Sequence, residues 1–342
     1  MKAVVINQHG GPEVLDYTEL PDPEIDENEV LVSIKACALN HLDVWVRKGL
    51  PGITFQMPLV LGSDISGVVA RVGRLVKTIK AGDEVVLSPG LSCMHCDYCL
   101  SGRDNLCASY GILGYRANGG YAELVKAPSV NVIPKPRNLS FEDASSIPLV
   151  FLTAWHMLVS RVNLKPGETL LVHAAGSGVG TAAIQIGKLL GARVLATAST
   201  DAKLEKARSI GADETINYLE EDFLDAVRRL TGKRGVDVVF EHTGEATWEK
   251  SVRSLVRGGR LVTCGATSGY KGNLDLRYLF SRQISLHGSY MGGKIELLEV
   301  MRFFEDGRLK PVVDRVLPLE KAADAHRALE DRAQFGKVVL AT

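Results

Sequence analysis

The sequence predicts an α/β protein, a doubly wound parallel sheet preceded by a compact, β-rich region. Three observations carry this expectation. Residues 1 to about 130 consist of short β-type runs separated by Gly and Pro. From about residue 140 the pattern changes to alternating helices and buried strands. Within that second half, residues 170–203 read as strand, glycine turn, helix, strand.

Taken in order, β-type runs fall at 2–6, 29–36, 65–72, 83–87 and 121–126, punctuated by Gly10-Gly11-Pro12, Pro21-Asp22-Pro23 and Ala81-Gly82-Asp83. Leu170, Leu171 and Val172 then form an apolar run that breaks at the glycine turn. Ala182, Ile186, Leu189 and Leu190 follow at helical spacing, and 194–197 is strand-like. Helices are expected at 201–210, 222–230 and near 248–256, and strands at 215–217, 236–240, 260–264 and 284–289. Six such strands separated mostly by helices predict the doubly wound sheet. Amphipathic helices at 294–304 and 319–331 precede a last strand at 337–341, which can return to the N-terminal β region. The expected domains are therefore 1–140 with 310–342, including a lobe at 90–110, and 141–309.

Composition narrows the function. Net charge is zero, with 46% hydrophobic and 23% charged residues, so no nucleic-acid or anionic-membrane partner is expected and a small molecule is. No apolar run approaches the roughly 20 residues that span a bilayer, and the N-terminus does not resemble a signal peptide, so a cytoplasmic location is expected.

Four of the six cysteines crowd into Cys93-x2-Cys96-x2-Cys99-x7-Cys107. A disulfide framework would spread them; this spacing suits four thiolates closing on one structural Zn²⁺ per chain. Four sulfurs leave no open position, so the metal would hold a loop and do no chemistry. His95 is superfluous as a ligand.

In the turn Ala174-Ala175-Gly176-Ser177-Gly178-Val179-Gly180, small residues between strand and helix let backbone N–H groups approach a pyrophosphate. Aligned on G-x-G-x-x-G, the strict positions are Ala175, Ser177 and Gly180, so only the last is Gly, and Gly176 and Gly178 supply flexibility.

The β-rich start, the four-cysteine lobe and this turn, in order along essentially the whole chain, resemble the medium-chain dehydrogenase/reductase superfamily. That group contains zinc alcohol dehydrogenases and quinone oxidoreductases. Gly62-Ser63-Asp64-Ile65-Ser66-Gly67-Val68-Val69 resembles the family's Gly-His-Glu segment, and Ala81-Gly82-Asp83-Glu84-Val85-Val86 its following turn and strand. The resemblance implies a GroES-like substrate domain with a zinc lobe and a Rossmann cofactor domain. It also implies a homodimer or homotetramer. Where zinc alcohol dehydrogenases place catalytic-metal ligands, this chain has Asn40, Ser63 and a position near Leu149, none a plausible zinc donor. Asn40-His41-Leu42-Asp43 instead resembles the Asn-x-x-Asp of zinc-independent quinone oxidoreductases and enoyl reductases.

The position where NAD-linked enzymes carry an acidic residue holds Ala198. Ser199 and Thr200 can donate hydrogen bonds, and Lys203 resembles the phosphate-binding Lys of NADPH-dependent relatives, so NADP(H) is expected with NAD(H) as the alternative. Asp201 is read as the N-cap of the next helix.

Gly176, Ser177, Gly178, Val179, Gly180, Ser199, Thr200 and Lys203 thus form the expected cofactor site. His242, Thr243, Gly265, Ala266, Thr267, Ser289 and Tyr290 join them from the carboxyl ends of later strands. Asn40, His41, Ser63 and Thr153 are the candidate catalytic residues by resemblance. A buried Asn more often satisfies backbone, a lone His is usually a packing residue, and a helix Thr commonly bonds its own backbone. Trp45, Phe55 and Trp155 could shape an apolar pocket or simply fill core. The expected activity is hydride transfer from NADPH to a quinone or conjugated enone without a catalytic metal. The alternatives are a zinc-type alcohol dehydrogenase, drawing on Cys37, His41 or Asp64 as ligands, and a nucleotide-binding protein with little turnover.

Overall fold

Glu29–Ala38 is an extended, mostly buried strand, and the N-terminal β region assembles around it. In the computed structural model, which describes residues 1–342, it pairs antiparallel with Asp64–Val72 on one side. On the other side it pairs with Leu124–Pro128 and with Lys337–Ala341. The full seven-stranded sheet runs Val132–Pro134, Glu84–Leu87, Asp64–Val72, Glu29–Ala38, Lys337–Ala341, Val313–Pro318, with Leu124–Pro128 added to the central strand. A three-stranded sheet of Leu15–Glu19, Lys2–Ile6 and Leu59–Val60 completes this part, and its core includes Val4, Ile6, Val32, Ile34, Leu61, Ile65 and Tyr121. The strand expected at 121–126 begins later, at Leu124–Pro128. The backbone amides of Gly119, Gly120 and Tyr121 go instead to the carbonyls of Val60, Gly62 and Leu61.

The second sheet is parallel throughout, in the order Glu214–Asn217, Arg193–Ala198, Thr169–Val172, Val236–Glu241, Leu255–Thr263, Ser285–Gly288. Reversal of strand order beside Thr169–Val172 makes this a Rossmann sheet. All residues of Thr169–Val172 and Val236–Glu241 are buried, as a sheet covered on both faces requires. Helices Gly178–Leu189, Asp201–Ser209, Phe223–Leu230 and Glu245–Arg253 form the crossovers. The helix expected near 248–256 ends at Arg253, and the strand expected at 260–264 begins at Leu255. Val236 pairs with Leu255 and Val238 with Arg260, so residues 256–259 bulge out of the ladder where Gly258 takes a positive φ of 73°.

The chain divides into residues 1–149 with 293–342, and residues 150–292. The first boundary differs from 140/141 because Ser66 donates to the Phe141 carbonyl and Asp64 accepts the Leu149 amide, and the second differs from 309/310 because Lys294–Glu305 packs with the first unit. Lys294 Nζ reaches Asp104 and the Gly90 carbonyl, and the Phe304 carbonyl accepts from Asn138. No helix is long and apolar enough to cross a membrane.

Phe240 is fully buried in the central parallel strand. Phe240→Ala is expected to destabilise the protein by about 3–5 kcal/mol, because the covered sheet collapses poorly onto a cavity. Urea unfolding followed by far-UV circular dichroism checks this.

Candidate active site and zinc lobe

The four lobe thiols converge. Cys93 and Cys99 sulfurs lie 3.8 Å apart and Cys96 and Cys99 sulfurs 3.5 Å apart, with all four within 4.8 Å of one another. Zn–S bonds of about 2.3 Å in a tetrahedron place sulfurs about 3.8 Å apart, so the residues fit a structural zinc. The His95 backbone amide draws the Cys93 thiol down to about 6, favouring the thiolate a metal needs. His95 Nδ1 turns to the Cys93 carbonyl at 2.6 Å, outside the sulfur set. Lys294 anchors the lobe through the buried carboxylate of Asp104, 2.9 Å from Nζ.

A second polar cluster sits at the ends of three adjacent strands. Ala38 pairs with Asp64 on one side of the central strand, and Val339 with Ala38 on the other. Asn40, Asp64 and Lys337 are thereby brought together, although they are distant in sequence. Lys337 Nζ donates to Asn40 Oδ1 at 2.6 Å and to Asp64 Oδ2 at 2.8 Å, and Asn40 Nδ2 donates to Asp64 Oδ2 at 3.0 Å. Asp64 Oδ1 accepts the Leu149 amide at 2.7 Å. Asn40 is 6% exposed, Lys337 3% and Asp64 0%. A Lys only donates and an ionised Asp only accepts, so this network admits one orientation of the Asn40 amide.

Ser63, adjacent to Asp64, is fully buried and its hydroxyl has no partner. A buried hydroxyl without a protein partner carries a desolvation cost that a hydrogen bond would offset. His41 is half-buried at the first turn of helix His41–Lys48, edge-to-face with Trp45 at 5.8 Å. Phe55 is core, stacked edge-on between His9 and Tyr115. In the second unit Thr153, 6% exposed in helix Pro148–Trp155, likewise has a buried hydroxyl without a partner.

A buried chain of hydrogen bonds fixes the helix that follows Asn40. The fully buried Arg47 meets His326 Nδ1 at 3.2 Å, His326 Nε2 meets the Tyr121 hydroxyl at 3.1 Å, and that hydroxyl donates to Asp43 Oδ2 at 3.2 Å. Arg47 is always a donor, so Nδ1 accepts, Nε2 carries the proton, and the chain has one polarity. Burial, with the positive charge of Arg47, pushes His326 down to about 3. Burial likewise raises Asp43 to about 6, against the Asn40 amide, Lys337 and Tyr121, which favour its ionised form. Asp43 also accepts the Asn40 amide at 2.7 Å and the Gly62 amide at 3.2 Å.

Around the glycine turn, Ser177 caps helix Gly178–Leu189 by accepting the Gly180 amide at 2.9 Å. A Cβ on Gly180 would lie 2.5 Å from the Ala174 carbonyl oxygen, so only glycine fits. The first helical amides, those of Gly178 and Val179, lack carbonyl partners by the geometry of a helix start, which makes this end an anion cradle. Ala198 closes its strand buried, and Thr200, not Asp201, is the N-cap of helix Asp201–Ser209, its hydroxyl accepting the Lys203 amide. Asp201 is the first helical residue, its carboxylate 3.4 Å from Asn217 Nδ2.

Beneath the turn, Glu241 accepts from Ser251 and Thr247 at 2.8 Å each and from the Thr243 amide at 2.6 Å. Burial alone would raise its carboxyl, but the His173 ring and these donors hold it below the usual carboxylate range. His242 Nε2 bonds the His173 carbonyl at 2.9 Å, and the Thr267 hydroxyl donates to the His242 carbonyl at 3.2 Å. Gly265 and Ala266 lie in the same segment after Leu255–Thr263. The Ser289 hydroxyl is buried and unpartnered, whereas Tyr290 is exposed. The expected cofactor residues therefore share the carboxyl edge of one parallel sheet, and the residues fit a dinucleotide.

The residues sequence reasoning passed over are Lys337, Tyr121, His326, Arg47, His173 and Glu241. The one signal for Lys337 was a lysine opening an apolar strand, Lys337–Ala341.

Comparison with known proteins agrees with this architecture. Residues 26–137 match the family model "Alcohol dehydrogenase GroES-like domain" and residues 178–306 "Zinc-binding dehydrogenase". The chain is 34% identical to an alcohol dehydrogenase of Geobacillus stearothermophilus, covering 99% of each. It is 33% identical to quinone oxidoreductase 1 of Escherichia coli strain K12, covering 98% of each. A solved structure described as an NAD-dependent alcohol dehydrogenase superposes with a TM-score of 0.97 at 54% identity, covering 100% of both chains. The chain belongs to the medium-chain dehydrogenase/reductase superfamily, and is a medium-chain oxidoreductase.

Two outcomes follow. Cys99→Ser is expected to abolish zinc retention, one equivalent per chain by elemental analysis in the wild type, and to cost on the order of 3 kcal/mol or more. His326 is held neutral in the fold but takes a proton near 6.5 when unfolded, so its contribution to stability is lost as pH falls from about 6.5 toward 3. Asp43, raised in the fold, works the other way between about 4 and 6, over a narrower window. His326→Gln should therefore flatten the acid side of stability by roughly 1–3 kcal/mol between pH 7 and 4. Urea midpoints against pH measure this; identical slopes would contradict it.

Proposed function

We propose that the protein is an NADPH-dependent reductase of a conjugated enone or quinone and that it works without a catalytic metal. The observation that carries the reading is the Asn40–Asp64–Lys337 cluster. Where the zinc alcohol dehydrogenase pattern calls for metal ligands, this chain has an amide, a hydroxyl and the backbone of Leu149, and an ammonium occupies the neighbouring carboxylate. The only converging set of three or more Cys, His, Asp or Glu donors is the cysteine lobe. Thiolate, imidazole or carboxylate donors are what zinc requires, so the residues here do not fit a catalytic zinc.

A bound dihydronicotinamide supplies a hydride, that is, two electrons and one proton's mass. The chain's own groups receive the charge that results. With hydride added at the β-carbon of an enone, the C=C electrons form the enolate double bond, the C=O π electrons move onto the oxygen, and a solvent proton added at the α-carbon as the carbonyl re-forms completes the reduction. Asn40 keeps one amide N–H beyond its bond to Asp64, and the Ser63 hydroxyl has no protein partner. Both can donate to the developing oxyanion. A conjugated acceptor spreads its charge enough for such donors to suffice, where an isolated ketone gains more from a metal. The absence of an acidic residue at Ala198, with the hydroxyls of Ser199 and Thr200 and the Lys203 side chain nearby in sequence, supports a 2′-phosphate. Ser289 and Thr153 offer further unpaired hydroxyls to bound ligands. A homodimer or homotetramer is proposed with this reading.

The second reading, an NAD-dependent alcohol dehydrogenase, is favoured by the 54% identity to the solved structure of that description. The two separate in one set of measurements. The proposal expects one zinc per chain, kcat/KM at least tenfold higher with NADPH than with NADH, and turnover of an enone and a quinone. It also expects Asn40→Ala to lose about 10²-fold or more in kcat while cofactor affinity, read by fluorescence, is kept. Two zincs per chain with NAD-linked oxidation of simple alcohols would establish the second reading instead.

A further inference from the structure

Lys337 is a buried cation with two of its three N–H bonds accounted for, one on Asn40 and one on Asp64. Both acceptors are themselves buried, and Asp64 is further held by the Leu149 amide. An ion pair could neutralise Asp64 without touching Asn40. Here the ammonium lies closer to the Asn40 carbonyl oxygen, 2.6 Å, than to the carboxylate, 2.8 Å.

That contact has a chemical consequence. With Oδ1 held by Lys337, the Asn40 Nδ2 group turns toward Asp64, one N–H on the carboxylate and one left over. The positive charge of Lys337 against Oδ1 also polarises the amide and makes the remaining N–H a stronger donor. We propose that Lys337 is the positioning residue of the reductase site, fixing and polarising the Asn40 amide so that its free N–H stabilises the substrate oxyanion. A lysine thereby supplies the fixed positive charge next to the residues that replace metal ligands. The proposal rests on the reading of Asn40 as the substrate donor. Cys37 and Asp43 are the titratable groups that feel the charges of Lys337 and Asp64, and Tyr121 is hydrogen-bonded to Asp43.

Removing Lys337 alone would strand a buried carboxylate, so the test uses the double variant Lys337→Met/Asp64→Asn, in which neither charge remains. Activity is assayed with 2-cyclohexenone and 1,4-benzoquinone. If Lys337 only neutralises Asp64, the double variant regains wild-type melting and wild-type kcat together. If it positions Asn40, melting and NADPH affinity recover while kcat stays at least tenfold down with KM within about threefold. Lys337→Gln/Asp64→Asn is the second variant, since its amide can still donate to Asn40 with no charge left buried, and its kcat is expected between that of the wild type and that of the first double variant. Wild-type kcat in the folded first double variant overturns the proposal, and so does failure of both variants to fold, which would assign Lys337 a structural role. Asn40→Ala separates the layers. If that variant keeps full enone and quinone turnover, the underlying reading fails; if it loses turnover while the first double variant keeps it, only the role of Lys337 falls.

Discussion

The ion pair between Lys337 and Asp64 is the constraint on which the N-terminal unit's site depends. Two charges buried at 3% and 0% exposure are compensated by each other and by hydrogen bonds to both. Asp64 receives an ammonium, an amide side chain and a backbone N–H, and Asn40 bridges the pair. Breaking such a pair from one side leaves an uncompensated charge, typically at a cost of about 3–5 kcal/mol. The pair depends on strand order in turn, since Lys337 reaches Asp64 because Lys337–Ala341 lies beside Glu29–Ala38.

A second buried network supports this one from below. Arg47, His326 and Tyr121 hand hydrogen bonds in one direction to Asp43, and Asp43 holds the Asn40 and Gly62 amides. The residues flanking Asn40 and Ser63 are thus fixed through their backbones, while the Ser63 hydroxyl is left unpaired. On the proposed function, rigid backbone with uncommitted donors would meet a developing charge without reorganising.

Much of this was legible in the sequence, and the rest was not for identifiable reasons. The parallel sheet announced itself because fully buried strands read as unbroken apolar runs such as Val236–Glu241. The cysteine lobe was legible because its ligands are local, all between Cys93 and Cys107. Strand 121–126 was misplaced since Gly119 and Gly120 let backbone pair with residues 60–62 instead. Asp201 was misread as a cap because Thr200 and Asp201 are both good capping residues and the choice depends on where the helix begins. Lys337 was invisible as a site residue because its partners are 297 and 273 positions away, and nothing local distinguishes a buried lysine from one at a solvated strand start.

The first unit is discontinuous, residues 1–149 with 293–342, and its central sheet takes Lys337–Ala341 as an interior member. During synthesis from the N-terminus, Asp64 and Asn40 are made long before the lysine that completes them. Until Lys337–Ala341 has been made, the sheet has an open edge along Ala36–Ala38 and a carboxylate with no counter-ion. The parallel sheet of residues 150–292, by contrast, is complete in sequence before that point. Lys337–Ala341 therefore acts as the closing step of the first domain, and a truncation that removes it takes away a strand and a buried charge together.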